Sequence, residues 1–244
     1  VQTCALPICS SFPWDERQIA CLSDARNELI VHDLRSGART VLRVDGVKLG
    51  PNGSLSPDGR WAVAGTVDIG DADAILWDRE SGTPRRLDLT QPVDLAGRRS
   101  RELRFSPSSD RLLVPLADQY LATYDLRSDT TELRRPHTGY TRRATFSPDG
   151  GLIASVGGDV GVHLWDESSA SGRSLTGALA LMIDVQFSRD GRHLAAVGND
   201  PRVLLWTDAV FRPQVFRMAG NGPVRFADAA AAEATALVRD RQLV

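Results

Sequence analysis

The segment GLIASVGGDVGVHLWDESSASG, residues 151–172, contains two short apolar stretches joined by a glycine-rich turn. Each stretch has the length of a β-strand, and the Gly-Gly-Asp sequence between them supplies residues that favour tight turns. The second stretch ends at Trp165-Asp166. The segment RHLAAVGNDPRVLLWTDA, residues 192–209, repeats the same design 41 residues later. A period of this length predicts a protein built from repeated β units.

Further copies of the unit extend the pattern over most of the chain. FSPDG at 146–150 returns as LSPDG at 55–59, FSPSSD at 105–110 and FSRDG at 187–191. The aromatic residues that end the third strand of each copy lie 47, 41 and 41 residues apart: Trp77, Tyr124, Trp165 and Trp206. A weaker copy at 18–37 precedes them, and an incomplete one at 224–244 follows them.

The repeats predict an all-β chain of four-stranded antiparallel units, with five recognisable repeats and a truncated sixth. The predicted repeats cover roughly residues 12–41, 42–90, 91–134, 135–175, 176–215 and 216–244. One such unit cannot bury both of its faces, so the units must stack. Residues 1–11 match no repeat and are left unassigned, with an artefactual origin as one interpretation.

These repeats resemble those of the WD-repeat β-propeller family, and the resemblance covers residues 12–244. The resemblance implies a β-propeller of the bacterial type. It also implies that the chain is a fragment of a longer protein. In the family, an aromatic–aspartate pair and a turn aspartate anchor each blade. The matching anchors here are Trp77, Asp78, Tyr124, Asp125, Asp200 and Trp206.

The family's structural tetrad maps in full onto the fourth repeat only, at His137, Ser155, Asp159 and Trp165. The resemblance implies hydrogen bonds that run from the indole N–H through serine and histidine to aspartate. Histidine, serine and aspartate also fit a hydrolase triad, but at this spacing with tryptophan we favour the structural interpretation. The corresponding polar positions are apolar in other repeats: Val114, Ala178 and Ala196.

Composition and motifs exclude several other functions. The formal net charge is −2 and Lys48 is the only lysine, so we expect no nucleic-acid partner. No run of 18 apolar residues exists, so we expect no membrane span. We expect a cytoplasmic location. Cys4, Cys9 and Cys21 have no metal-binding spacing. An oxygen cluster at Asp68, Asp71 and Asp73 is a weak calcium candidate because no glutamate closes the loop. We expect no metal, no cofactor and no small-molecule substrate.

A basic loop surface is the candidate partner-binding face. The resemblance implies that loops leading into the innermost strands share one face of the propeller, where partners commonly bind. Arginine and tyrosine are frequent interface anchors, although an arginine-rich solvated rim is an equal alternative. The residues are Lys48, Arg99, Arg101, Tyr140 and Arg142.

Two functions follow from these observations. We favour a non-catalytic interaction or scaffolding propeller that binds an acidic or phosphorylated protein or peptide. The resemblance implies that it serves as the sensing or docking part of a larger bacterial signalling protein. The alternative is a propeller hydrolase or other enzyme that uses the central channel. The matching inner-strand positions, Arg101, Arg142, Ile183 and Gly222, do not form a catalytic set.

Overall fold

The computed structural model describes residues 18–23, 25–67, 74–87, 103–116, 119–168, 172–175, 177–178, 180–199, 202–207 and 213–217. Their regular structure is entirely β, with nineteen strands in five sheets. Within these ranges no helix has the length and apolar character required to cross a bilayer.

Each sheet is formed by strands that follow one another in the chain. The first sheet has three strands, β1 (Gln18–Leu22), β2 (Glu28–Asp33) and β3 (Arg39–Arg43). The second has β4 (Leu49–Leu55), β5 (Trp61–Thr66), β6 (Ala74–Asp78) and β7 (Pro84–Leu87). The third has β8 (Arg104–Phe105), β9 (Arg111–Pro115), β10 (Leu121–Asp125) and β11 (Thr130–Arg134).

The last two sheets repeat the same order. The fourth has β12 (Thr141–Phe146), β13 (Leu152–Gly157), β14 (Val162–Asp166) and β15 (Gly172–Leu175). The fifth has β16 (Met182–Phe187), β17 (His193–Gly198), β18 (Arg202–Thr207) and β19 (Pro213–Arg217). These four-stranded antiparallel sheets confirm the predicted class of fold. Strands β3 and β19 each end two residues beyond a predicted repeat boundary. The predictions for residues 1–11 and for most of 216–244 concern residues outside the described ranges.

A Ser-x-Asp turn closes the first hairpin of the second, fourth and fifth sheets, and a longer Ser-x-x-x-Asp turn closes that of the third sheet. In the fourth sheet, Ser147 Oγ accepts a hydrogen bond from the Leu152 N–H at 2.8 Å and donates one to Asp149 Oδ1 at 2.5 Å. Gly150 has a φ of +77°, which favours glycine. The same serine–aspartate bond is present in the other three turns, at Ser56–Asp58, Ser106–Asp110 and Ser188–Asp190.

The chain divides into two compact units, and each has its own core. Unit 1 comprises residues 1–114 and 122–132, and unit 2 comprises 115–121 and 133–244. In unit 1, the apolar faces of the first and second sheets pack together around Leu29, Leu42 and Trp77. In unit 2, the fourth sheet packs on the fifth through Leu164, Phe187 and Trp206. The period of two in each strand therefore places one apolar face between neighbouring sheets.

Candidate functional site

A polar cluster lies on one face of the fourth sheet. Its members are His137 in the loop before β12, Ser155 on β13, Asp159 in the turn between β13 and β14, and His163 on β14. His163 stands directly opposite Ser155 in the antiparallel register, so both side chains leave the sheet on the same face. Ser155 is fully buried, and the His137 side chain is 0% exposed.

Hydrogen bonds connect three members of this cluster. His137 Nε2 lies 3.1 Å from Ser155 Oγ, and His137 Nδ1 lies 2.6 Å from Asp159 Oδ1. The main-chain N–H of Thr138 donates to Asp159 Oδ2 at 2.9 Å. The structure thus brings together His137, Ser155 and Asp159 of the tetrad that the sequence predicts.

Trp165 departs from the predicted tetrad. Its indole Nε1 is buried and has no hydrogen-bond partner among the described residues, and the residue as a whole is only half-buried. The residue opposite Trp165 on β13 is Ile153, whereas Ser155 faces His163. On the other side the indole covers Gly172, where an added Cβ would lie 2.3 Å from the ring. The predicted bond from the indole to Ser155 is therefore absent in this geometry.

His163 is the member of the cluster that the sequence analysis does not single out. Its ring lies edge-on to that of His137, with 4.6 Å between centroids, and stacks on Trp165 at 6.2 Å. Its Nε2 lies 3.9 Å from Asp159 Oδ2. The period of two from Trp165 to His163 was the signal that could have placed it on the same face.

Burial keeps both imidazoles of the cluster neutral. Desolvation lowers the pKa of His137, although Asp159 partly opposes this effect. Desolvation also lowers the pKa of His163, and the neighbouring His137 lowers it further. Burial alone would raise the pKa of Asp159, but the Thr138 N–H and His137 outweigh it and the pKa is lowered. At neutral pH the cluster holds one carboxylate and two neutral rings.

The order Ser155–His137–Asp159 matches the hydrogen-bonding order of a nucleophilic triad. Attack on a substrate, however, requires the hydroxyl to reach an incoming carbonyl carbon, and Ser155 has no exposed surface. The fifth sheet carries Ala196 at the position of Ser155, the second sheet carries Ala64 there, and both alanines are equally buried. The serine therefore occupies a packing position, where its hydroxyl satisfies a buried histidine.

Next to this cluster, three loops of unit 2 and the first two residues of β12 form a surface that we call the loop face: residues 119–120, 135–142 and 158–161. The Arg135 guanidinium lies 4.9 Å from the centroid of the Tyr120 ring and donates to Gln119 Oε1 at 2.7 Å. Gln119 Nε2 in turn donates to the Thr138 carbonyl oxygen at 2.8 Å. An exposed arginine is thus held in a defined position.

The predicted partner-binding residues are only partly described. Tyr140 and Arg142 belong to the loop face, and the Tyr140 ring packs on Gly158, where an added Cβ would lie 2.8 Å from it. Both residues are partly exposed, and Val160 beside Asp159 is 52% exposed. Lys48 is exposed in unit 1. Arg99 and Arg101 lie outside the described residues, as do Asp200, Gly222 and the aspartates at 68, 71 and 73.

The aromatic anchors of unit 1 contact the sheet that precedes their own. Trp77 is fully buried, and its Nε1 donates to the main-chain oxygen of Arg43 at 3.0 Å. Tyr124 is also buried. Its hydroxyl donates a hydrogen bond to Asp129 Oδ1, and the Arg85 guanidinium lies 5.6 Å from its ring centroid. Burial and the Asp129 carboxylate raise the pKa of Tyr124.

The aspartates that follow the aromatic anchors close the next turn. Asp78 Oδ1 accepts from the Glu80 N–H at 3.0 Å. Asp125 Oδ1 accepts from the N–H groups of Arg127 and Ser128, both at 2.9 Å. In unit 2, Trp206 is fully buried like Trp77.

A second polar contact that the sequence did not reveal joins the first strands of the fourth and fifth sheets. Arg143 Nη1 lies 2.9 Å from Asp184 Oδ1, and the Asp184 side chain is 3% exposed. The two residues occupy the same repeat position, three before Phe146 and three before Phe187. The inner-strand residues considered from sequence, Arg142 and Ile183, lie one position earlier.

Fold and repeats together define a protein class: an all-β chain of repeated four-stranded antiparallel sheets with serine–aspartate turns. No family model matches the chain. Over an alignment of 94 residues, the chain is 32% identical to WD repeat and SOCS box-containing protein 1 of Danio rerio. The alignment covers 37% of this chain and 21% of that protein. The Mus musculus protein of that name is 31% identical over 94 residues, with the same two coverages.

The chain thus spans about a fifth of the length of these curated relatives. A chain in the crystal structure of the mitotic checkpoint complex is similar in fold, with a TM-score of 0.71 and 18% sequence identity. The match covers 86% of this chain and 64% of that chain. These similarities relate the chain to WD-repeat proteins and its fold to that of a WD-repeat propeller.

Proposed function

We propose that the protein is a non-catalytic interaction scaffold whose loop face binds a partner protein through carboxylate or phosphate groups. The observation that carries the proposal is the Arg135–Tyr120–Gln119 arrangement. One hydrogen bond and one aromatic face hold the guanidinium, and most of its N–H donors remain available for a bidentate anion contact.

Neighbouring residues give the loop face the composition of an interface centre. Tyr140 supplies a ring that Gly158 supports, and Val160 adds an exposed apolar side chain. Arg142 is partly exposed, and no ion pair joins it to another residue in the described part of the chain. Tyrosine and arginine are enriched where alanine substitution costs binding energy.

The relatives support the same class of function. WD-repeat proteins are matched in sequence, and the matched fold comes from a multiprotein complex. We extend the proposal to a docking role within a larger bacterial signalling protein. The enzyme alternative requires an accessible nucleophile, which the buried Ser155 does not provide.

Fluorescence anisotropy with labelled acidic, phosphorylated and neutral peptide pools tests the proposal. We expect the first two pools to bind, and Arg135→Glu with Arg142→Glu to weaken binding at least tenfold. The matched control reverses the charge at Arg189 and Arg192 in the same way. These two exposed arginines lie at the opposite end of the strands in the same unit. Equal binding by both double variants, or equal binding of the neutral pool, contradicts the proposal.

A further inference from the structure

We propose that His137, Asp159 and His163 form a binding site for a divalent late transition-metal ion, with Zn²⁺ as the ion of first choice. Each residue offers one ligand atom, and the three atoms lie within 4.8 Å of one another. Two imidazoles and one carboxylate are a donor set that suits Zn²⁺ and its neighbours in the transition series. From the sequence alone we expect no metal, because the cysteines lack metal-binding spacing and no glutamate closes the aspartate loop.

The tetrad does not account for His163. The equivalent positions in the second and fifth sheets carry Ile75 and Leu204, which are buried apolar residues. His163 Nε2 faces Asp159 Oδ2 at 3.9 Å, a distance too long for a hydrogen bond. A cation bonded to both atoms would explain why a polar ring replaces a leucine at this position.

Each candidate ligand is oriented by a second contact. His137 Nε2 is held by Ser155 Oγ at 3.1 Å, and His163 Nδ1 by Ser174 Oγ at 3.1 Å. Asp159 Oδ2 accepts from the Thr138 N–H at 2.9 Å. Metal-binding histidines almost always use their second ring nitrogen in this way. The nitrogens that remain, His137 Nδ1 and His163 Nε2, are the two that face Asp159.

The donor atoms must close on one another to share one ion. Donors on one tetrahedral Zn²⁺ stand about 3.3 Å apart when each bond is about 2.0 Å long. His137 Nδ1 lies 2.6 Å from Asp159 Oδ1, and His163 Nε2 lies 3.9 Å from Asp159 Oδ2. A rotation of the Asp159 carboxylate turns one oxygen toward both nitrogens, and side-chain movement brings together the three donors, which already lie within 4.8 Å of one another. The Ser155 hydroxyl can donate or accept, so His137 can move its proton from Nδ1 to Nε2 and free Nδ1 for the ion.

Gly161 keeps the donor atoms accessible. A Cβ at this residue would lie 2.7 Å from His163 Nε2 and 3.2 Å from Asp159 Oδ1. Any side chain here would fill the space beside both ligands. Asp159 and His163 retain 21% and 18% side-chain exposure, which leaves a route from solvent. Three protein ligands leave the fourth tetrahedral position to water.

Titration calorimetry of the tag-free chain with ZnCl₂ at pH 7.5, after dialysis against EDTA, tests the proposal. We expect one ion per chain. His163→Leu, which copies the fifth sheet, should weaken binding at least tenfold. The matched control His32→Gln also removes one histidine and should bind like the wild type. Zinc binding by His163→Leu that equals the wild type, or no binding by the wild type, overturns the proposal.

A second variant separates loss of the site from loss of the fold. Gly161→Ala keeps all three ligands but places a methyl group beside two of them, and we expect it to weaken zinc binding at least tenfold. Thermal unfolding without metal checks that each variant folds. Zinc should raise the melting temperature of the wild type, EDTA should reverse this rise, and neither variant should show it. An equal rise in Gly161→Ala contradicts the proposed position of the ion.

Discussion

The indole Nε1 of Trp77 donates a hydrogen bond to the main-chain oxygen of Arg43, 3.0 Å away on the last strand of the preceding sheet. Trp77 thus links two sheets, and it has the largest fully buried side chain among the residues of unit 1 that the structure describes. Trp165 holds the same repeat position but is half-buried, and its Nε1 has no hydrogen-bond partner among the described residues. The two tryptophans should thus contribute unequally to stability.

Replacing each tryptophan by alanine tests this difference. We expect Trp77→Ala to lower the free energy of unfolding by about 3–5 kcal/mol, because it opens a cavity in a closed core. Trp165→Ala should cost less than half as much. Urea denaturation of both variants gives the comparison. An equal loss would show that the half-buried ring contributes as much as the buried one.

Ser155→Ala should lower the free energy of unfolding by about 1–3 kcal/mol, because it leaves His137 Nε2 buried without its partner. The fifth sheet has alanine at both corresponding positions, Ala178 and Ala196. The double variant His137→Ala with Ser155→Ala should therefore cost less than the sum of the two single variants. Strictly additive losses in the same denaturation assay would contradict the coupling.

Stability should fall as the pH drops from 7.5 to 5.5. Burial lowers the folded-state pKa of His137 and of His163 below the ordinary value of 6.5. The unfolded chain then binds protons first, so this stability is complete above pH 6.5 and is lost as pH falls below it. The loss is at most about 1.4 kcal/mol per pH unit for each histidine. His163→Leu should show a shallower decline in urea midpoints with EDTA present; a midpoint that rises toward pH 5.5 would contradict this.

Arg143→Ala should lower the free energy of unfolding by about 3 kcal/mol, since it leaves the Asp184 carboxylate buried without its ion-pair partner. Replacing both residues, Arg143→Leu with Asp184→Leu, should recover most of this loss. Thermal unfolding of the single and double variants measures the loss of stability and its recovery. A single variant as stable as the wild type would contradict this prediction.

Tyr124→Phe removes the hydroxyl that bonds Asp129. We expect a loss of about 1 kcal/mol, because Arg85 Nη1 still lies 3.3 Å from Asp129 Oδ1 and that side chain is 66% exposed. Tyr124→Ala should cost several times more through the lost ring. Chemical denaturation of the pair separates the hydroxyl from the ring, and equal losses would assign the whole effect to the hydroxyl.

The class of fold was predictable because its signals are local. The Ser147–Asp149 turn and the apolar run from Leu152 are encoded within ten residues, and the same holds in three other repeats. Three members of the polar cluster were predictable because the family spacing places them. His163 and the Arg143–Asp184 pair were not, since their roles depend on which faces of separate strands meet. The orientation of the Trp165 ring likewise depends on Gly172, a residue on another strand.

The Ser-x-Asp turn has a consequence for how such a chain can grow. Serine and aspartate bond each other inside one turn, and the serine also fixes the first N–H of the next strand. A duplication of about 40 codons therefore copies both the serine donor and the aspartate acceptor of this hydrogen bond. Each new copy contains its own hairpin turn, whose contacts join residues that are only a few positions apart in the sequence. Lengthening the array then requires only that the apolar faces of the new sheet fit those of its neighbours.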